Sequence, residues 1–317
     1  MFATAPCDNT GKLQLCLGNA LAIKVNQGLG AQYVDIEPST TLDKLSDKMT
    51  VEMWMKPDID AGHIQYIAGM WGPGVDVNDV WQLYIDETDN LVFEINGTTT
   101  KLGQKDNTIV SADLSGYLGN WFHIAAEFDG ATQYASIFIN GILINRTTNP
   151  AYPISKLRIR EQLSLGLQIG STNALSNNTN ARTFRGMLDE IRIWNKLQST
   201  TELICQKDLS LNDPTPGLVL YYRCNEDPNI FQLCDASNNN NVGFLRSGAR
   251  CDVSDRKDSY PYIIDAPVFP DTVRCSTTKV YTITVTDTSL CGSQARIRVL
   301  DLPQHFKFNQ TFVNLNP

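Results

Sequence analysis

The stretch "VWQLYIDETDNLVFEING" (residues 80–97) holds two runs of alternating apolar and polar residues around a polar centre. Side chains alternate faces along a strand, so Trp81, Leu83 and Ile85 line one face of a first arm. Leu91, Phe93 and Ile95 line the same face of a second arm. The pattern predicts a β-hairpin with one buried side and one wet side.

The same period recurs on either side of it. "ALAIKV" (20–25) puts Leu21, Ile23 and Val25 together, and "TVEMWMKP" (50–57) sets Val51, Met53 and Met55 against Glu52, Trp54 and Lys56. "WFHIAAEFDG" (121–130) buries Phe122, Ile124, Ala126 and Phe128, leaving His123 with Ala125 and Glu127 as a hydrogen-bonded sheet residue. "SIFINGILI" (136–144) turns at Asn140-Gly141, a strong hairpin signal. Such strands, with almost no helical periodicity before residue 198, predict an all-β, two-sheet antiparallel sandwich. "QSTTELICQKDL" (198–209) is the one helical turn expected, capped by Ser199 or Thr200 with Glu202 in its first turn.

With 317 residues, 42% of them hydrophobic and 19% charged, the chain has room for one large β-domain and something smaller. A net charge of −8 argues against a nucleic-acid backbone or an anionic membrane surface as main partner, while acidic loops suit divalent cations. No stretch is long and apolar enough to span a bilayer. The start, "MFATAPCDNTGK", lacks the features of a secretion signal, so a signal already removed or a piece of a longer chain is expected.

The eight cysteines form no CxxC and no zinc-spaced cluster with histidine. Disulfides are the expected state, which places the protein outside the cytoplasm. "CDNTGKLQLC" suggests Cys7–Cys16 across a hairpin, and Cys275–Cys291 is the second pair suggested; Cys205, Cys224, Cys234 and Cys251 stay unassigned. Glycan-acceptor patterns stand at Asn96, Asn145, Asn177 and Asn309, and act only in a host that glycosylates them.

In "RGMLDEIRIWNKLQS" (185–199), simple alternation puts Leu188, Glu190, Arg192 and Trp194 on one face. Asp189 then shares the other face with Ile191 and Ile193. A carboxylate facing a core must be paired, hydrogen-bonded or bound to a metal.

"GAQYVDIEPS", "MTVEMWMKPD", "NWFHIAAEFDG…SIFINGILI" and "RGMLDEIRIWNKLQSTTEL" follow one another as in the laminin-G-like jelly-roll family. That family sits in the concanavalin-A-like lectin/glucanase group, with the pentraxins. "PTPGLVLYYRCNEDPNIFQLCDASNNNNVGFL" (214–245) resembles the segment that closes such domains in large bacterial surface proteins. The resemblance implies a structural calcium with Asp189 as ligand, facing "VNQGLG" (25–30), where Asn26 and Gly28 supply a side-chain and a backbone oxygen. The family often has Asp where Asn26 stands, which implies weaker affinity. Equally, Asp189 accepts backbone N–H groups from that loop.

Trp54, Trp81, Trp121 and Trp194 lie in strand patterns and are expected to pack. Trp71 lies in "AGMWGPGVDVNDV" (68–80) beside Asp76, Asn78 and Asp79. Such a stretch makes a sugar-binding edge, with the indole as platform, or tucks its tryptophan onto the sandwich as an anchor. Glu87, Asp89 and Glu94 are the nearest approach to a glycosidase pair, but the first two fall in a turn that cannot hold a fixed separation. No GxSxG, HExxH, phosphate-loop or dinucleotide fingerprint occurs, so catalysis is not expected.

"IIDAPVFPDTV", "KVYTITVTDTSL", "ARIRVLDL" and "HFKFNQTFV" resemble the first part of an immunoglobulin-like module. The expected organisation is a jelly-roll over 1–255, with an N-terminal hairpin at 1–18 and a closing segment at 214–250, then a partial module over 263–317 and further modules beyond. The expected role is a secreted or cell-surface binding module for carbohydrate or protein. The competing roles are a structural spacer without ligand and a glycan-cleaving enzyme of the same fold.

Overall fold

The alternating runs form strands whose apolar faces meet in one core. The computed structural model describes residues 19–256, apart from 27–29, 60–61, 72–78, 98–106, 152, 158–165, 172–181, 209–210, 212–214 and 227, with the backbone alone at Val25 and Asn26. They belong to one unit, Leu17–Arg256. The hairpin at 1–18 with Cys7 and Cys16, the module at 263–317 with Cys275 and Cys291, and Gly28, Asp76 and Asn78 lie outside the described residues.

The first strands are β1 (Asn19–Ile23), β2 (Val25–Asn26), β3 (Gly30–Ala31), β4 (Tyr33–Ile36), β5 (Lys48–Pro57) and β6 (Gln65–Trp71). Next come β7 (Trp81–Ile85), β8 (Asn90–Asn96), β9 (Asn107–Asp113), β10 (Phe122–Asp129), β11 (Tyr134–Ile139) and β12 (Ile142–Thr147). The chain continues through β13 (Gly166–Ile169), β14 (Gly186–Trp194), helix α1 (Thr200–Gln206) and β15 (Leu218–Tyr222). It then forms β16 (Gln232–Leu233), β17 (Gly243–Arg246) and β18 (Arg250–Val253).

Sheet 1 runs β12-β11-β10-β5-β14-β1-β18, with β15 also on β14; sheet 2 runs β16-β17-β4-β13-β6-β7-β8-β9. Both have 8 strands, and the pairing of neighbours is antiparallel. This is the predicted jelly-roll sandwich. Val51, Met53 and Met55 of sheet 1 and Leu83, Phe93 and Ile95 of sheet 2 are fully buried members of one core. The sheets are also tied where β9 and β12 meet, since Asn145 Nδ2 donates to the Ser111 carbonyl at 2.8 Å. Asn140 (φ 51) and Gly141 (φ 79) make the predicted tight turn between β11 and β12. Ser199 caps α1, with Glu202 reciprocating.

Cys224, Cys234 and Cys251 are free thiols, so the expected pairing does not hold for these three. Cys224 and Cys251 are fully buried core residues, where a thiol packs as a small apolar group.

Candidate functional site

Among the described residues, the chain itself covers the outer face of sheet 1. On sheet 1, Thr50, Glu52, Trp54, His123, Glu127 and Arg192 point away from the core, and residues 195–208 run across them. Leu203 of α1 packs with Ala125 and Phe138. Trp54 Nε1 donates to the Lys207 carbonyl at 2.8 Å, and Arg192 Nη1 to that of Gln206 at 2.9 Å. Beneath this strap the charges are matched. Arg192 Nη2 lies 2.7 Å from Glu190 Oε2, and His123 Nε2 lies 3.3 Å from Glu52 Oε2. Glu127 Oε1 accepts Gln198 N at 2.9 Å and Thr50 Oγ1 at 3.1 Å, while burial pushes its carboxyl up to about 7.

Sheet 2 carries a different set. Its register places Gln82 opposite Glu94 and Tyr66 opposite Tyr84. Glu94 Oε2 accepts Gln82 Nε2 at 2.7 Å, and Glu94 Oε1 accepts Asn107 Nδ2 at 2.8 Å. Two amides thus fix the carboxylate from both sides. The rings of Tyr66 and Tyr84 lie 5.5 Å apart beside it, each half-buried. Burial raises both phenol pKa values, and the Glu94 charge pushes both further. At Tyr66, Asp79 adds to the rise, while Arg182 bonds the hydroxyl and pulls the other way.

Trp71 bounds this group. It is the last residue of β6, 2% exposed, and its six-membered ring lies over Gly69, where an added Cβ would fall 2.3 Å from Cζ2. It meets Tyr66 edge-on at 6.0 Å. A side chain so buried is a wall, not a platform for a sugar, and the anchor reading of Trp71 is the one its burial fits. Asp79, buried at the start of the chain's return to β7, does come to the site.

Sequence reasoning missed Tyr66, Tyr84, Gln82, Asn107 and Arg182, and weighed Glu94 only as a catalytic acid. Part of the signal was present: Gln82, Tyr84 and Glu94 are the polar half of the alternation in 80–97. Chemically, a carboxylate offers several acceptor lone pairs to hydroxyl donors, and tyrosine rings offer flat apolar faces with a polar tip.

Asp189 stands elsewhere, and a β-bulge decides its environment. Glu190 has φ 50, in the left-handed region, and the β14–β5 register slips between Asp189 and Arg192. Leu188 therefore joins Ile191 and Ile193 in the core, whereas Asp189 pairs with Trp54 on the outer face. The expected sharing of a face with the two isoleucines is thereby corrected. Asp189 is nonetheless 4% exposed. Its Oδ2 lies 2.7 Å from Arg256 Nε, and its Oδ1 accepts Glu190 N at 2.8 Å. Burial pushes this carboxyl up to about 7 against the pull of Arg256.

Asp189 as placed does not suit a calcium, while Gly28 and the Asn26 side chain, the other two expected ligands, lie outside the described residues. That ion takes roughly six to eight oxygens, and here a guanidinium already sits on the carboxylate. Among the described residues no three His, Cys, Asp or Glu side chains gather as a metal site. Asn26 pairs through its backbone with Gly30.

The sequence model of the concanavalin A-like lectin/glucanases superfamily, of laminin G type, matches residues 28–203, more than half of the chain. No curated protein matches the sequence. A proposed carbohydrate binding protein from Bacteroides ovatus superposes with a TM-score of 0.55 at 19% identity over 76% of this chain. The chain spans 61% of that protein's length. The native heptameric SAP-like pentraxin of Limulus polyphemus superposes at 0.50 with 11% identity, over 75% of this chain and 96% of the pentraxin. At such identities the likeness is one of fold.

Proposed function

Since the chain belongs to the concanavalin A-like lectin/glucanases superfamily, we propose that it is a non-catalytic, extracellular binding module that takes carbohydrate on the outer face of sheet 2. The observation that carries this reading is the Glu94 carboxylate held between Gln82 and Asn107 beside two half-buried tyrosines. A sugar has apolar C–H faces and a rim of hydroxyls, and this group matches both. The name of the Bacteroides ovatus protein lends the reading support by analogy alone.

The absence of catalysis is supported by the turn between β7 and β8. Glu87 and Asp89 belong to it, around Asp86, whose carboxylate accepts Thr88 N at 2.9 Å and Asn90 N at 3.0 Å. Glu94 is tied to the amides of Gln82 and Asn107, which hold its carboxylate as a hydrogen-bond acceptor. The test is a glycan array with the parent, Tyr84→Ala and Glu94→Gln, each checked for folding by its melting curve. We expect binding by the parent, and at least tenfold weaker binding by both variants at little change in melting. An array on which the parent binds no glycan would move the structural spacer reading ahead.

A further inference from the structure

We propose that the cation serving Asp189 is the chain's own Arg256, so that the sandwich needs no calcium there. The strand that carries Asp189 would, without its bulge, turn this side chain toward the core. The left-handed Glu190 turns it instead onto the Trp54 side of sheet 1, where it stays buried. Burial of a carboxylate demands a compensating partner, and the chain brings one from just beyond its last described strand.

Residues 254–256 work as a clasp. Ser254 Oγ accepts Arg256 N at 3.0 Å, a local turn that sends the arginine inward. The guanidinium then lies between two partners, with Nε 2.7 Å from Asp189 Oδ2 and Cζ 5.2 Å from the centre of the Trp54 ring. Arg256 itself is 8% exposed. The preceding residue makes the opposite pairing: Asp255 Oδ2 lies 2.6 Å from Lys56 Nζ, and Oδ1 accepts Trp121 Nε1 at 2.7 Å. Two ion pairs of reversed polarity, one buried and one at the surface, thus fasten the end of β18 across β14 and β5.

A divalent ion at Asp189 would meet the fixed positive charge of Arg256 on the same carboxylate. The arginine has the advantage of being present at any calcium concentration, since it is part of the chain. Calcium-dependent members of a fold respond to chelation, and this chain is expected not to. The inference stands apart from the carbohydrate reading, since it concerns what holds the sandwich and not what the outer face of sheet 2 takes.

The test is thermal unfolding of the full chain in EDTA and in millimolar calcium, for the parent, Arg256→Gln, Asp189→Asn and the double variant. The parent should melt at the same temperature in both. Each single variant should melt several degrees lower in both media, and the double variant should lose less than the two single losses combined, as coupled partners do. A parent that melts higher in calcium, with the rise abolished by Asp189→Asn, overturns the proposal. So does an Arg256→Gln protein that melts as the parent does. Should a variant fail to fold, the parent's response to EDTA still decides, because it needs no substitution.

Discussion

Gly69 and Trp71 are two apart on β6, so both face outward, and the indole can rest on the glycine only because no Cβ intervenes. The ring also meets Tyr66 edge-on, which fixes one tyrosine of the candidate site. Trp71→Ala removes a 2% exposed aromatic and should cost ~3–5 kcal/mol in chemical unfolding, as large-to-small core substitutions do. Were Trp71 a displayed platform, the same change would leave the unfolding midpoint nearly where it is. Its burial was not legible in the sequence. Glycine and proline around it suggested a loop, whereas the chain holds it as the end of a strand. Asp189 failed for a related reason: one left-handed residue after it reverses a face assignment that strict alternation would give.

The element that shows best how a strand edge is managed is β15, which has β14 on one side only. Its other edge is met by the asparagine run. Asn239 Nδ2 donates to the Leu218 and Val219 carbonyls at 2.9 and 3.0 Å, and Asn241 Nδ2 to that of Val219 at 2.9 Å. Asp235 Oδ1 accepts Tyr221 N at 3.0 Å, taking the place of a strand carbonyl. Asn238 (φ 66) and Asn240 (φ 60) are left-handed, a conformation asparagine tolerates, and the alternation aims residues 239 and 241 at the strand. Asn241→Ala leaves buried acceptors unmet and should cost about 1–3 kcal/mol, while the exposed Asn240→Ser should cost about 1 kcal/mol or less. Equal unfolding midpoints for the two variants would refute this division. At this scale much was legible. Period-two patterns gave the strands, and Ser199 with Glu202 gave the helix start, because both are local rules. The candidate site needed the cross-strand register of 80–97 and a third strand, β6, which no local rule supplies.

At the scale of the molecule, two buried carboxyls with raised pKa values set one limb of the pH dependence. Glu127 holds the strap over sheet 1 through Gln198 N, and Asp189 holds Arg256; burial pushes each up to about 7, above its unfolded value. The sign follows from proton binding. Between roughly pH 4 and 7 the native chain keeps protons on these groups that the unfolded chain has lost, so stability falls as pH rises through that window and levels off above it. The opposite limb belongs to carboxyls held below the usual range, among them the hydrogen-bonded Asp86, Asp252 and Asp255 and the Glu52 carboxyl, which His123 and Arg192 pull down against its burial. Their contribution is present above about pH 4 and is lost as pH falls further. Melting temperature should therefore peak near pH 4, where the two limbs meet, and decline on both sides. Glu127→Gln keeps an oxygen for Gln198 N and Thr50 Oγ1 but removes one titration, so the decline between pH 5 and 8 should shrink while the acid limb stays. A Glu127→Gln profile parallel to the parent's from pH 4 to 8 would show that this carboxyl titrates alike in the folded and unfolded chains and would overturn its part in the pH dependence.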